Sequence, residues 1–184
     1  MRKEIFNQSK KTNPFYLFLN NLMDINSRKF VLALLFLVSL NSFSQTNIRV
    51  FERNDYLTSI RNSSVRNYNT VLDLMDGVQS SIYLTNEGVR VIGQTPVCMY
   101  SDVSSLSLAS NPDMRISNIE MVTIKIDKPS ELTSIIDLSI VSRYKNVKYI
   151  YFRIGFDFKL PQLIQLIKNC DPKCIVIYSV EKGA

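Results

Sequence analysis

Val122-Thr-Ile-Lys-Ile126, Tyr149-Ile-Tyr-Phe-Arg-Ile154 and Ile175-Val-Ile-Tyr-Ser-Val180 are three short runs rich in β-branched and aromatic residues. The first two alternate apolar and polar side chains with period two, the mark of a half-buried strand, and the third is a further strand candidate. Two helical patterns lie between them. Leu132, Ile135, Ile136, Ile140 and Tyr144 form the first stripe, behind Pro129 and Glu131. Both suit a first helical turn, where proline lacks only an orphan donor and a carboxylate complements the dipole. Leu160, Leu163, Ile164, Ile167 and Cys170 form the second, again with an early proline, Pro161. Strand, helix, strand, helix, strand predicts a parallel βαβαβ unit with right-handed crossovers and its helices on one face.

Upstream, residues 45–79 are polar and asparagine-rich, with Tyr68, Val71, Leu72 and Met75 at the spacing of one short amphipathic helix before Gly77. Ile82-Tyr-Leu-Thr85 and Val89-Arg-Val-Ile92 flank Asn86-Glu87-Gly88 and read as a β-hairpin, the glycine supplying a positive φ. Val97-Cys-Met-Tyr100 adds a strand after Pro96, and residues 101–112 read equally as a serine-rich loop or a further short strand. The expected fold class is α/β, α+β overall: a small sheet, the C-terminal parallel unit, an N-terminal helix and a hairpin.

Val122, Ile150 and Ile175 stand 28 and 25 residues apart, inside the 20–29 range of leucine-rich repeats. Ile119-x-x-Val122-x-Ile124-x-x-Asp127 and Val147-x-x-Ile150-x-Phe152-x-x-Gly155 resemble the L-x-x-L-x-L-x-x-N pattern of that family, and Leu160-Pro161 resembles its following Leu-Pro. Asp127 and Gly155 occupy the places of the family's asparagine. The resemblance covers residues 119–184 and stands beside an ordinary βαβαβ layer as an alternative. It implies ligand binding on the concave strand face.

Composition removes several chemistries. The 184 residues include no histidine, which excludes a His-based triad, an H-E-x-x-H zinc site and an imidazole base. None of the five glycines builds G-x-G-x-x-G. Gly88 and Gly93 have Walker A spacing, but Gln94 stands where the lysine must be. Three cysteines without histidine fill no metal-ligand spacing, and no cofactor is implied. Hydrophobic residues make up 46% and charged residues 21%, with a mean hydropathy of +0.01, which fits neither a disordered tail nor a polytopic membrane protein.

Arg28-Lys29 followed by the apolar run from Phe30 to Leu40, 11 residues, has the build of a signal peptide. A membrane-spanning helix needs about 20 apolar residues; an uncleaved anchor is the alternative. Ser42-Phe43-Ser44 offers small side chains before a cut at Gln45, and no cysteine follows the apolar core to take a lipid. The expected division is an upstream extension or mis-assigned start (1–22), a leader (23–44) and one small exported domain (45–184), periplasmic or extracellular, with no stable membrane anchor after cleavage. Lys and Arg number 22 against 16 Asp and Glu, a net +6, but residues 1–44 hold six of the former and two of the latter. The domain keeps 16 against 14, a net +2, dispersed along the chain, so nucleic acid is not an expected partner.

The candidate ligand-binding residues are Lys125, Tyr149, Tyr151, Arg153 and Tyr178, with Thr123, on the strand face turned away from the crossovers. Rigid amphipathic rings and a guanidinium fork are what binding surfaces use. A hairpin packed across that face would bury it instead. Cys170 and Cys174, separated by three residues in a Pro-containing turn, are the disulfide candidate in an oxidising compartment. Cys98 allows two other pairings, and buried thiols are the alternative. Asp73 and Asp76 read as solvated charges. Together these features favour a noncatalytic binding or envelope-associated domain meeting an unknown protein or extracytoplasmic ligand. The alternatives are a secreted hydrolase with an unfamiliar Asp/Glu or Cys site and a structural accessory subunit completed by a partner. Intact mass of the chain from each cell fraction and the medium, alkylated with and without reduction, should find a soluble species beginning at Gln45. An uncleaved species with three alkylated cysteines would overturn the compartment.

Overall fold

The computed structural model describes residues 48–111 and 118–181; the leader and its cleavage point lie outside these residues. The described residues form nine strands, β1 (Val50–Glu52), β2 (Ser81–Thr85), β3 (Gly88–Ile92), β4 (Cys98–Asp102), β5 (Met121–Ile126), β6 (Ile136–Asp137), β7 (Tyr149–Ile154), β8 (Ile167–Lys168) and β9 (Ile175–Val180), and helices α1 (Arg53–Ser63), α2 (Val65–Asp76), α3 (Ser139–Ser142) and α4 (Leu160–Leu166), with α1 and α2 between β1 and β2, α3 after β6 and α4 after β7. Seven strands form one sheet in the order β1-β9-β7-β5-β4-β2-β3, and β6 and β8 form a small second ladder. Every pairing in the large sheet is parallel except β2 with β3. From β2 through β4, β5 and β7 to β9, each strand lies beside its predecessor, apart from the hairpin strand β3. The fold is α/β.

Aligned residues of parallel strands share a face, so the register sorts the core into two. Val122, Ile124, Ile126, Ile150, Phe152, Ile154 and Val176 point to one side, where the connections supply Leu106, Ala109, Ile136, Val141, Tyr144, Leu163 and Ile167. Cys98, Met121, Tyr151 and Ile177 point to the other, beneath Tyr56, Leu57, Val71, Leu74 and Met75 of α1 and α2. Parallel strands are stable only with both faces covered; here the later connections cover one face and the N-terminal helix pair the other.

The two N-terminal helices meet at Ser64, which ends α1 by donating its backbone N–H to the Ile60 carbonyl and caps α2 with its hydroxyl toward the Asn67 N–H. Glu52 caps α1, accepting from the Asn54 and Asp55 amides at 2.7 and 3.2 Å, a carboxylate placed where the helix dipole favours it. Tyr68, Val71, Leu72 and Met75 lie on α2 as the spacing predicts; α1 and β1 are additional. The hairpin closes through Thr85 opposite Gly88, whose φ is +121°. It does not fold across the sheet, but extends it in plane as an edge.

The first expected crossover helix is corrected. Residues 129–133 form a 3-10 turn, Ile136–Asp137 is β6, and only Ser139–Ser142 is helical. Serines, a threonine and two adjacent isoleucines give this run low helix propensity, and Ile136 pairs instead with Ile167. The second helix ends at Leu166 for the same reason, because Ile167 enters β8. From the end of β4 at Asp102 to residue 111 the described chain holds no further strand, but a 3-10 turn, Leu106–Ser110. Tyr144 closes that side by donating its hydroxyl to the Ala109 carbonyl.

These assignments separate two substitutions. Phe152→Ala, at a fully buried site, should cost about 3–5 kcal/mol in urea unfolding, as truncation of a core phenylalanine does. Ile135→Ala, 66% exposed, should stay within about 0.5 kcal/mol. A loss at Ile135 comparable to that at Phe152 would restore the continuous helix.

Candidate functional site

Three rows of side chains cross the face that carries α1 and α2. Ser81, Cys98, Met121, Tyr149 and Ile175 form the row at the strand N-termini; Tyr83, Tyr100, Thr123, Tyr151 and Ile177 the middle row; Thr85, Asp102, Lys125, Arg153 and Ser179 the row at the C-termini. The helix pair covers the first row and the β7–β9 side of the second. Uncovered is a cleft of about 460 Å³ lined by Tyr83, Tyr100, Asp102, Thr123, Lys125, Asp127 and Arg153, among others. It lies at the C-terminal ends of parallel strands, where open α/β sheets place their ligand crevices. A second depression of about 330 Å³ shares Tyr83 and Thr85 and continues toward β3.

Tyr83 and Tyr100 stack with ring centroids 5.0 Å apart and planes 14° from parallel, a consequence of their adjacent, aligned positions on β2 and β4. Burial pushes the Tyr100 hydroxyl up to about 12. Both cationic residues of the cleft are ion-paired. Lys125 Nζ lies 2.9 Å from Asp127. Arg153 donates through Nε and Nη2 to both oxygens of Glu181, at 2.8 and 2.5 Å, the bidentate geometry that makes such pairs strong. Glu181 also accepts from Ser179 Oγ at 3.3 Å, and Ser179 shares a 2.8 Å hydrogen bond with the Tyr151 hydroxyl. Arg153 holds the Glu181 carboxyl below its ordinary range. Asp102 accepts from Ser104 Oγ and the Ser105 amide at 2.7 and 2.6 Å. Burial raises its carboxyl, but these hydrogen bonds outweigh it and the net direction is down.

Of the residues singled out from sequence, Lys125 and Arg153 come together in the cleft, with Thr123. Tyr151 shares their face but is 3% exposed beneath the helices, and Tyr149 is half-buried, its ring edge-on to Tyr56. Tyr178 is corrected: it aligns with Phe152, not with Tyr151 or Arg153. It lies on the opposite face, edge-on to Phe158 at 5.4 Å. Strand β9 is buried on both sides and carries no apolar/polar alternation to mark its faces. Tyr83, Tyr100, Asp102 and Asp127 were not anticipated. Their signal is the parity of Ile82-Tyr83-Leu84 and Met99-Tyr100-Ser101, legible once β2 and β4 join the same parallel sheet.

All three cysteines are free and buried. Cys98 packs under α2 with its thiol toward the Leu74 carbonyl, whereas Cys170 and Cys174 belong to the opposite core. The sheet separates Cys98 from Cys170 and Cys174, which share one core cluster as free thiols. Burial pushes Cys98 and Cys170 up to about 11 and raises Cys174, so none is an activated thiolate at neutral pH. Among the described residues no group of three or more Cys, Asp and Glu is arranged to hold a metal, and no helix is long and apolar enough to cross a membrane. Comparison with family models, characterised proteins and solved structures gives no match.

The Asp102 cap has a pH signature. A carboxyl lowered on folding contributes stability above its unfolded pKa, about 3.9, and loses it as pH falls through the lower folded value. Urea midpoints of the native chain and Asp102→Asn should differ by a constant amount above about pH 5 and converge as pH drops below about 4. A difference independent of pH would place the effect in packing instead of charge.

Proposed function

We propose that this chain is an exported, noncatalytic binding domain whose ligand occupies the uncovered C-terminal half of the sheet face. The observation that carries this reading is the cleft itself. A stacked tyrosine pair, Lys125, Arg153 and the carboxylates of Asp102 and Asp127 converge on one depression, within the volume range of about 300–1,000 Å³ common for small-molecule sites. Because Lys125 and Arg153 already have carboxylate partners, a strongly charged ligand must break an ion pair to gain one. A compact, net-neutral polar ligand with an apolar face does not. Burial of the strand N-terminal half under α1 and α2 supports the same view, since it supplies a rigid floor for groups presented at the strand ends.

The leucine-rich-repeat resemblance, which implies a ligand on the strand side, draws support from the stepwise parallel order from β2 to β9 with the connections after β4 packed on one face. Hydrolysis has one observation in its favour, the shared lining by Asp102 and Asp127. Against it, hydrogen bonds hold the Asp102 carboxyl below its ordinary range, away from that of a general acid, and Asp127 is engaged in an ion pair with Lys125.

The test is amide NMR of the ¹⁵N-labelled chain against three probes: a neutral disaccharide, a zwitterionic amino acid and inorganic phosphate. One of the two net-neutral probes should shift the amides of Tyr83, Tyr100, Lys125 and Arg153, and Tyr100→Ala should weaken that binding about tenfold, the scale of a lost aromatic contact. Tyr151→Ala is unsuitable, because its ring is core. Shifts clustered away from the cleft, or none with any probe, would overturn the reading.

A further inference from the structure

Among the described residues, strand β3 ends the large sheet with β2 as its sole hydrogen-bonded neighbour. Its burial pattern is that of an open edge: Val89, Val91 and Ile92 are 38, 55 and 45% exposed. An exposed apolar edge is a template for another strand unless something opposes it. The two-residue turn between Thr85 and Gly88 makes that pair hydrogen-bonded, and pairs alternate along an antiparallel ladder. Gly88, Arg90 and Ile92 therefore spend their backbone groups on β2. The N–H and C=O of Val89 and Val91 point outward.

Arg90 stands between those two residues, exposed, with no ion pair among the described residues. Its position decides the occupant. A second copy docking antiparallel through the outward groups of Val89 and Val91 would oppose Val89 to Val91 and Arg90 to its own equivalent. That central pair is of the non-hydrogen-bonded kind, where side chains approach most closely, and like charges placed directly opposite destabilise a sheet. The same arginine favours a foreign strand with a carboxylate at the facing position.

We propose that β3 is a docking edge for an extended segment of another protein with the alternation apolar, acidic, apolar, which adds to the sheet as an eighth strand. Val89 and Val91 supply the backbone bonds and flank the partner's apolar side chains; Arg90 selects the acidic residue between them. This edge adjoins the cleft, since Arg90 lines the second depression beside Tyr83, but the backbone groups of Val89 and Val91 that would take the strand lie outside the cleft lining.

Two capped heptapeptides, Thr-Thr-Val-Glu-Val-Thr-Thr and its Lys-centred counterpart, test the proposal by NMR titration of the full ¹⁵N-labelled chain. The Glu peptide should shift and protect the Val89 and Val91 amides and bind about fivefold more tightly than the Lys peptide, the scale of one favourable cross-strand charge pair. Arg90→Glu should reverse the order. Equal affinities, shifts outside β3, or no binding of either peptide at millimolar concentration would overturn it. Arg90→Thr, a solvent-facing change to a good strand former, should drive dimerisation in sedimentation velocity at a concentration where the native chain is monomeric. A native chain that already dimerises through β3 would overturn the choice of a foreign strand.

Discussion

The six-residue parallel ladder between Met121–Ile126 and Tyr149–Ile154 is the constraint on which the rest of the molecule depends. A parallel pair cannot be closed by a hairpin, so the chain must leave the sheet and return over one face. That return carries Ile136, Val141 and Tyr144 onto Val122, Ile124, Ile150 and Phe152. It leaves the opposite face, with Met121 and Tyr151, in need of a separate cover. The later connections never cross the sheet, and the cover comes from the segment before β2, as α1 and α2. Placing β1 beside β9 follows from the same need, since it brings the start of α1 to the edge from which the helix pair spans that face.

The strands were legible because they are short, apolar and bounded by polar turns, and the β2–β3 hairpin because Asn86-Glu87-Gly88 has one good backbone solution. Residues 129–144 misled because Leu132, Ile135, Ile136 and Ile140 satisfy helical spacing while their neighbours disfavour a helix. Spacing is a statement about one face; the second ladder used Ile136 in a different geometry and left Ile135 in solvent. Helix α1 was hidden for the opposite reason. Its core contribution is carried largely by Tyr56 and Leu57 in an otherwise polar run, too few apolar residues to make a periodic stripe.

The cleft was half legible. Lys125 and Arg153 follow from the alternation within β5 and β7, which local sequence records. Tyr83, Tyr100 and Asp102 reach the same depression only through lateral order across four strands, a property of topology that no local period encodes. Tyr178 shows the limit from the other side. In Ile175-Val-Ile-Tyr-Ser-Val180 both parities are apolar enough to be buried, so only the register with Phe152 assigns the tyrosine its face.

A sheet that grows by adding neighbours must also stop. At β9 the terminus is the short β1, three residues long and continuing at once into α1. At β3 no comparable turn away occurs within the strand: five residues run to Gly93, whose φ of +86° suits a glycine and where a Cβ would collide with Ser80. The edge thus ends by a backbone device beyond Ile92, while within the strand the one feature opposing further pairing is the charge of Arg90. A charge is a conditional barrier. It repels a copy of itself and attracts its opposite, so the residue that protects the edge from self-association also makes it selective.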